Sequence, residues 1–156
     1  MRFPTSEHHR GGLEAKSEHL MQYIRFQTME HDTYSRQCGG IFGPDYDLWH
    51  ARGPVVSPKL KELRKHLDWF NDHLDAPRHL TYRLGSRSER NGVCWFHQHA
   101  AIHIQRAYAM SQILVQMRVP VRLLRTRNPG AKIWQDKHQV VAMADARLTV
   151  HAKDIH

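Results

Sequence analysis

The stretch SPKLKELRKHLDWFNDHL at residues 57–74 predicts one long amphipathic helix, from which the flanking elements can be assigned. Ser57 suits the N-cap and Pro58 the first helical position. Apolar side chains then recur every three or four residues, which places them on one face of the helix. These side chains are Leu60, Leu63, Leu67, Phe70 and Leu74. We expect the helix to end at Asp75-Ala76-Pro77.

The segment before this helix favours an N-terminal β-hairpin. Residues 21–28 alternate like a strand, because Tyr23, Ile24 and Phe26 suit a pleated, half-buried surface. A helical stripe through Leu20 and Ile24 is the alternative interpretation. A second short strand is expected at 39–43, and a helical turn at 45–52.

The segment after the helix predicts a second helix and then three strands. A polar, basic loop covers 78–92, and the apolar run 93–96 is either a strand or the lead-in to a helix at about 97–117. Strands follow at 119–125, 131–135 and 139–144, and Asn128-Pro129-Gly130 marks a strong turn between the first two.

This order predicts an α+β fold: a single domain with a mostly antiparallel sheet packed on two main helices. The sheet would combine the N-terminal hairpin with the three C-terminal strands. We expect residues 1–20 to form a polar N-terminal extension, residues 21–145 the domain, and residues 146–156 a tail or an edge strand.

Composition excludes several classes of protein. The 156 residues suit one domain, and a hydrophobic content of 40% is that of a globular chain. There is no run of about 18 apolar residues, so we expect no membrane partner. The start of the chain has no apolar signal region, and two cysteines are too few for a disulfide framework. We therefore expect a cytoplasmic protein.

The positive charge lies in one part of the chain. The formal net charge is +8, and residues 78–137 carry eleven Lys and Arg against two acidic residues. A concentrated basic excess attracts phosphate backbones or an acidic protein surface. The candidate nucleic-acid-binding residues are Arg83, Arg87, Arg90, Arg122, Arg125, Arg127, Lys132, Trp134 and Lys137. In a regular strand Arg122 and Arg125 point to opposite faces, which argues against one continuous patch.

Fourteen histidines raise the question of a metal. His99 and His103 are four residues apart in the predicted helix, a spacing that can chelate a divalent cation. The Glu of the zinc-protease motif H-E-x-x-H is absent between them. Asp136 and His138 fall in a predicted turn, where turn chemistry alone accounts for the aspartate. We expect no cofactor, with a divalent metal at His99 and His103 as the alternative.

Several motifs resemble a family of small uncharacterised bacterial proteins. The matching pieces are Tyr23-Ile24-Arg25-Phe26, Leu67-Asp68-Trp69-Phe70-Asn71, Cys94-Trp95-Phe96, the segment Leu123-Leu124-Arg125-Thr126-Arg127-Asn128-Pro129-Gly130, and His138-Gln139-Val140-Val141-Ala142. The resemblance implies the fold above and an extra segment at 1–20, and it assigns no catalytic residue. Family members usually carry Lys at the position of His97, Glu at that of Ile102 and Tyr-Glu-Asp at that of Trp134-Gln135-Asp136, so the resemblance implies a divergent member.

These patterns favour a small module that works by binding rather than by chemistry. Nucleic acid is the partner that the basic stretch 78–137 favours. A protein–protein interaction or regulatory module that recognises an acidic surface is the alternative, and a metal-dependent hydrolase built on His99, His103 and Asp136 comes third. Cys94 is expected to be a buried small hydrophobe. The sequence leaves the oligomeric state open.

Overall fold

The computed structural model of the protein describes residues 21–31, 38–75, 92–145 and 147–156. The expected N-terminal extension and the loop that holds Arg83, Arg87 and Arg90 lie outside the described residues. The described part is an α+β domain, as the sequence predicts.

An antiparallel sheet forms the centre of the fold. Its strands in chain order are β1 (Tyr23–His31), β2 (Cys38–Gly40), β3 (Gly92–His97), β4 (Val121–Thr126), β5 (Lys132–Gln135), β6 (Gln139–Met143) and β7 (His151–Asp154). Six of them lie in the spatial order β5-β6-β3-β1-β4-β7, and β2 pairs with the far end of β1. Strand β7 falls in the 146–156 segment and pairs with β4 at one edge.

Three helices pack on one face of this sheet. They are α1 (Phe42–His50), α2 (Pro58–His73) and α3 (Ala101–Gln116). Helix α2 begins as its sequence predicts, because Ser57 Oγ accepts a hydrogen bond from the Leu60 N–H at 3.2 Å and Pro58 is the first helical residue. Helix α3 gives way to Arg118, whose φ of 66° is left-handed. None of the described helices is both long enough and apolar enough to cross a membrane.

The two faces of the sheet carry different apolar groups. The helix side holds the larger core, in which Ile24, Phe26 and Leu123 meet the apolar stripes of α2 and α3. On the opposite side, which we call the outer face, a smaller cluster forms around Trp95 and Leu124. In β1, β3 and β4, alternate residues therefore contribute to the two cores, as the period of two in a strand requires.

Several boundaries differ from the sequence prediction. Phe42 begins a helix instead of lying inside the expected strand 39–43, so α1 begins before the expected helical turn at 45–52. The run 93–96 is a strand, and His97 belongs to it because β3 pairs with both β6 and β1. Helix α3 therefore begins at Ala101 rather than at His97. Long-range strand pairing overrode a local pattern that suits either structure.

The three C-terminal strands that the sequence predicts do not all lie side by side. Strand β4 pairs with β1 and β7, whereas β5 and β6 form a hairpin beside β3. The segment 127–131 therefore connects β4 to the far edge of the sheet instead of closing a hairpin. Asn128 and Pro129 line one cleft together with Trp95 and Leu124, so this connection runs over the outer face.

Candidate functional site

A polar cleft lies at the end of the sheet where β1 begins, β4 ends and β7 begins. These three strand ends coincide because β1 is antiparallel to β4 and β4 is antiparallel to β7. The cleft has a volume of about 500 Å³. We call it the arginine cleft, and it is lined by Gln22, Arg125, Thr126, Arg127, Asn128, Arg147, Leu148, Thr149 and His151.

Buried Thr126 ties the two chain segments of the arginine cleft together. Its hydroxyl donates to the Thr149 carbonyl at 2.8 Å and accepts from the Asn128 N–H at 3.1 Å. The Asn128 side chain in turn accepts from the Gly130 N–H at 3.1 Å. These bonds fix the backbone that carries Arg125 and Arg127 to the backbone that leads into β7. The cleft is thus built on the end of a sheet and not on a free loop.

The arginine cleft has an excess of positive charge. Arg125 and Arg127 are exposed, and neither forms an ion pair with a described residue. Arg147 forms a two-point contact with Asp145, at 3.1 Å from Nε and 3.0 Å from the terminal nitrogen. The Arg147 hydrogen bonds lower the pKa of the Asp145 carboxyl. Two guanidinium groups are therefore left to attract an anion.

A second cleft continues from the arginine cleft onto the helix side of the sheet. Its volume is about 480 Å³, and it shares Arg125 and His151 with the first. We call it the tyrosine cleft, and it is lined by Tyr108, Leu123, Arg125, His151, Ala152, Lys153, Asp154 and Ile155. Tyr108 of α3 is 40% exposed and meets Phe26 edge to face, with 6.3 Å between the ring centroids.

The sequence-predicted basic residues divide into two groups. Arg125 and Arg127 meet in the arginine cleft. Arg122 lies on the opposite face of β4, as the strand period predicts, and its guanidinium is 3.4 Å from the Asp154 carboxylate. Lys132 on β5 places its ammonium over the Tyr23 ring at 5.4 Å.

The two remaining predicted residues, Trp134 and Lys137, lie on and after β5. Strands β6, β3 and β1 separate them from β4. The described part of the predicted basic surface is therefore dispersed, and only Arg125 and Arg127 share the arginine cleft.

Several residues of these clefts have no functional role predicted from sequence, among them Arg147, His151 and Tyr108. Arg147 and His151 lie in the segment expected to be a tail or an edge strand, and Tyr108 lies in a predicted helix face. No local pattern links His151 with Arg125, because the β4–β7 pairing joins these two residues across 26 positions of the chain. The one available signal is the weak alternation at the C-terminus, which indicates an edge strand but does not indicate the strand with which it pairs.

The two candidate metal ligands occupy different environments. His99 is exposed in the turn before α3, whereas His103 is buried inside the helix. The two are therefore not one turn apart on one helix face, as the sequence assumed. His103 Nε2 lies 2.8 Å from the His73 carbonyl oxygen, and its ring lies 4.1 Å from that of His138. Among the described residues no group of three or more His, Cys, Asp or Glu side chains could hold a metal ion.

Asp136 serves the β5–β6 turn. Its Oδ1 accepts hydrogen bonds from the His138 and Gln139 N–H groups at 2.8 and 2.9 Å, which is turn chemistry as expected. Cys94 departs from the sequence expectation, because its residue is exposed and its neighbours Trp95 and Phe96 fill the two cores instead.

Comparison with known proteins adds no further assignment. No family model matches the chain, and neither a curated protein nor a solved structure shows significant similarity to it.

Proposed function

We propose that the protein binds nucleic acid through its sugar–phosphate backbone, with the arginine cleft as the contact site. The observation that carries the proposal is the pair Arg125 and Arg127, two exposed guanidinium groups in one cleft without an ion pair to a described residue. Guanidinium groups bind phosphate oxygens by short, charge-assisted and often two-point hydrogen bonds. We place this binding in the cytoplasm, in keeping with the low cysteine content.

The rest of the arginine cleft supports the same ligand. Gln22 and Thr149 bring further polar groups to a phosphate contact, and such neutral donors commonly accompany arginine on nucleic-acid backbones. Thr126 and Asn128 hold the site in place through their hydrogen bonds. Contacts to the sugar–phosphate backbone carry no sequence information, so we expect binding with little sequence preference.

The test is a salt titration of oligonucleotide binding, followed by fluorescence anisotropy. For a single strand, the slope of log K against log salt is about −0.7 per phosphate contact. We expect Arg125→Gln/Arg127→Gln to weaken binding at least about tenfold and to reduce that slope by about 1.4. The matched control is Lys59→Gln/Lys61→Gln, which removes the same charge from exposed positions on α2.

Two results would overturn the proposal. One is the absence of binding at low salt, and the other is an equal loss of affinity in the two double variants. An acidic protein would be attracted by the same charges. Specific capture of such a partner that survives nuclease treatment, together with no oligonucleotide binding, would favour that alternative.

A further inference from the structure

We infer that the ligand is single-stranded nucleic acid, one base of which stacks on Tyr108 while the adjoining phosphate lies against Arg125 and His151. The inference rests on the proposed function and names its substrate class. It is carried by the tyrosine cleft, which shares Arg125 and His151 with the arginine cleft.

Tyr108 has the properties of a stacking platform. Its ring is anchored from the core side by Phe26, at an interplanar angle of 79°, yet the residue keeps 40% of its surface exposed. Neighbouring residues on α3, such as Ala107 and Ser111, are fully buried and hold the helix against the sheet. A ring fixed in this way loses little conformational entropy when a base covers it, which favours stacking.

The phosphate contact and the aromatic ring lie within one cleft. Arg125 and His151 face each other across the β4–β7 pair, and both line the cleft with Tyr108. A volume of about 480 Å³ is within the range that small-molecule sites use, which is about 300–1,000 Å³. One nucleotide can therefore contact the guanidinium group with its phosphate and the phenol ring with its base.

Stacking on Tyr108 favours binding of single strands over binding of duplexes. In a duplex the internal bases are already paired and stacked, so an aromatic side chain reaches them only if they are flipped out at a cost of a few kcal/mol. The phosphates are available in both forms. Arg125 and Arg127 consequently attract either form, whereas Tyr108 adds affinity for the single strand alone.

Trp134, the aromatic residue among the candidates predicted from sequence, lies away from both clefts. Trp134 is half-buried on β5, and β6, β3 and β1 lie between its strand and the strand of Arg125. Tyr46 is another exposed tyrosine, on α1 and away from both clefts, with its ring 4.0 Å from that of His50. It therefore provides a matched control.

The experiment measures binding of a single-stranded oligonucleotide of about 15 residues, its duplex, and an abasic single strand of equal length and charge. Stacking of one base is worth about 1–3 kcal/mol, which corresponds to a roughly 5- to 150-fold loss of affinity. We expect Tyr108→Ala to show this loss on the single strand only, with an unchanged salt slope. Tyr108→Phe, which keeps the ring, should bind within about twofold of wild type, and Tyr46→Ala should match wild type.

The abasic strand tests the inference without any variant. Wild-type protein should bind it about as weakly as Tyr108→Ala binds the normal strand. Equal affinity of wild type for normal strand, abasic strand and duplex would overturn the stacking inference and leave phosphate binding intact. Failure to bind any of the three at low salt would instead overturn the proposed function itself.

Discussion

At Gly130 the backbone conformation and a close neighbouring backbone atom both require glycine. Its φ is +108°, in a region that side-chain-bearing residues rarely adopt. A Cβ atom built there would lie 2.3 Å from the Met143 carbonyl oxygen, which belongs to the backbone and has little freedom to move. The glycine lets the 127–131 connection approach the end of β6, where the Met143 N–H donates to the Ala131 carbonyl at 2.9 Å.

We expect Gly130→Ala to destabilise the protein substantially. The strained backbone alone costs roughly 1–3 kcal/mol, and displacement of the Met143 carbonyl adds to it. Chemical denaturation monitored by circular dichroism measures the loss. Gly43→Ala is the matched control, because a Cβ atom there meets nothing within 4 Å. Equal stabilities of the two variants would show that the connection relaxes freely.

At the scale of elements, helix α2 shows what a local pattern can specify. Its start depends on contacts within four residues, and Ser57 Oγ caps the Leu60 N–H as the sequence predicts. Its apolar stripe is buried from Leu60 to Phe70, and the helix ends at His73, one turn after Phe70. The N-cap and the apolar stripe both depend on residues that are close in the chain, so the sequence predicts them without knowledge of the sheet.

Removal of the α2 cap tests this local control. We expect Ser57→Ala to lower the free energy of unfolding by about 1 kcal/mol, because the Leu60 N–H loses its acceptor. Ser57→Asp, which supplies a carboxylate oxygen as the acceptor in place of the hydroxyl, should recover most of the loss. Urea unfolding of the three proteins provides the comparison. If the alanine and aspartate variants are equally stable, the hydrogen bond contributes nothing and another feature of the sequence starts the helix.

Other elements depend on distant partners, and the sequence left them open. The run Val93–Phe96 suits a strand or a helix start, and its pairing with β6 and β1 decides for the strand. That pairing moves the start of α3 to Ala101 and leaves His99 outside the helix. The predicted metal pair requires both histidines in one helix, but the helix begins two residues after His99.

At the scale of the molecule, strand order decided which basic residues could act together. The sequence predicts the α+β fold with a mostly antiparallel sheet, which the structure confirms, but it also predicts that β4, β5 and β6 are neighbours. Pairing of β4 with β7 instead brings Arg125 to His151, while the strand of Lys132 and Trp134 lies beyond β1, β3 and β6, and the Lys132 ammonium lies over the Tyr23 ring. Composition located the charge in one stretch of chain, but only the topology locates it on a surface.

The ionisable groups of the whole molecule give its stability two opposing pH dependences. Burial lowers the pKa of His66, His97 and His138, so the unfolded chain binds protons more readily near pH 6 and these groups make stability fall on acidification. Burial raises the pKa of Asp45 to about 8. The folded state therefore holds a proton on Asp45 that the unfolded chain has released, and this group makes stability fall as the pH rises from about 4 to about 8.

Asp45→Asn separates the two effects. The residue is 1% exposed, and neither carboxyl oxygen has a hydrogen-bond partner among the described residues. Asparagine keeps the shape of the side chain and removes its titration. The unfolding free energy of the variant, measured relative to wild type, should increase by about 3 kcal/mol between pH 5 and pH 7.5, since each unit of proton linkage is worth about 1.4 kcal/mol. The change in this difference is the readout, because the lost and gained contacts of the amide are the same at both pH values.

Asp47→Asn, an exposed substitution on the same helix, is the control. A difference from wild type that stays constant with pH would show that Asp45 is ionised in the folded protein and has found a partner there. If the increase appears, the variant's remaining loss of stability between pH 7.5 and pH 5 can be assigned to His66, His97 and His138.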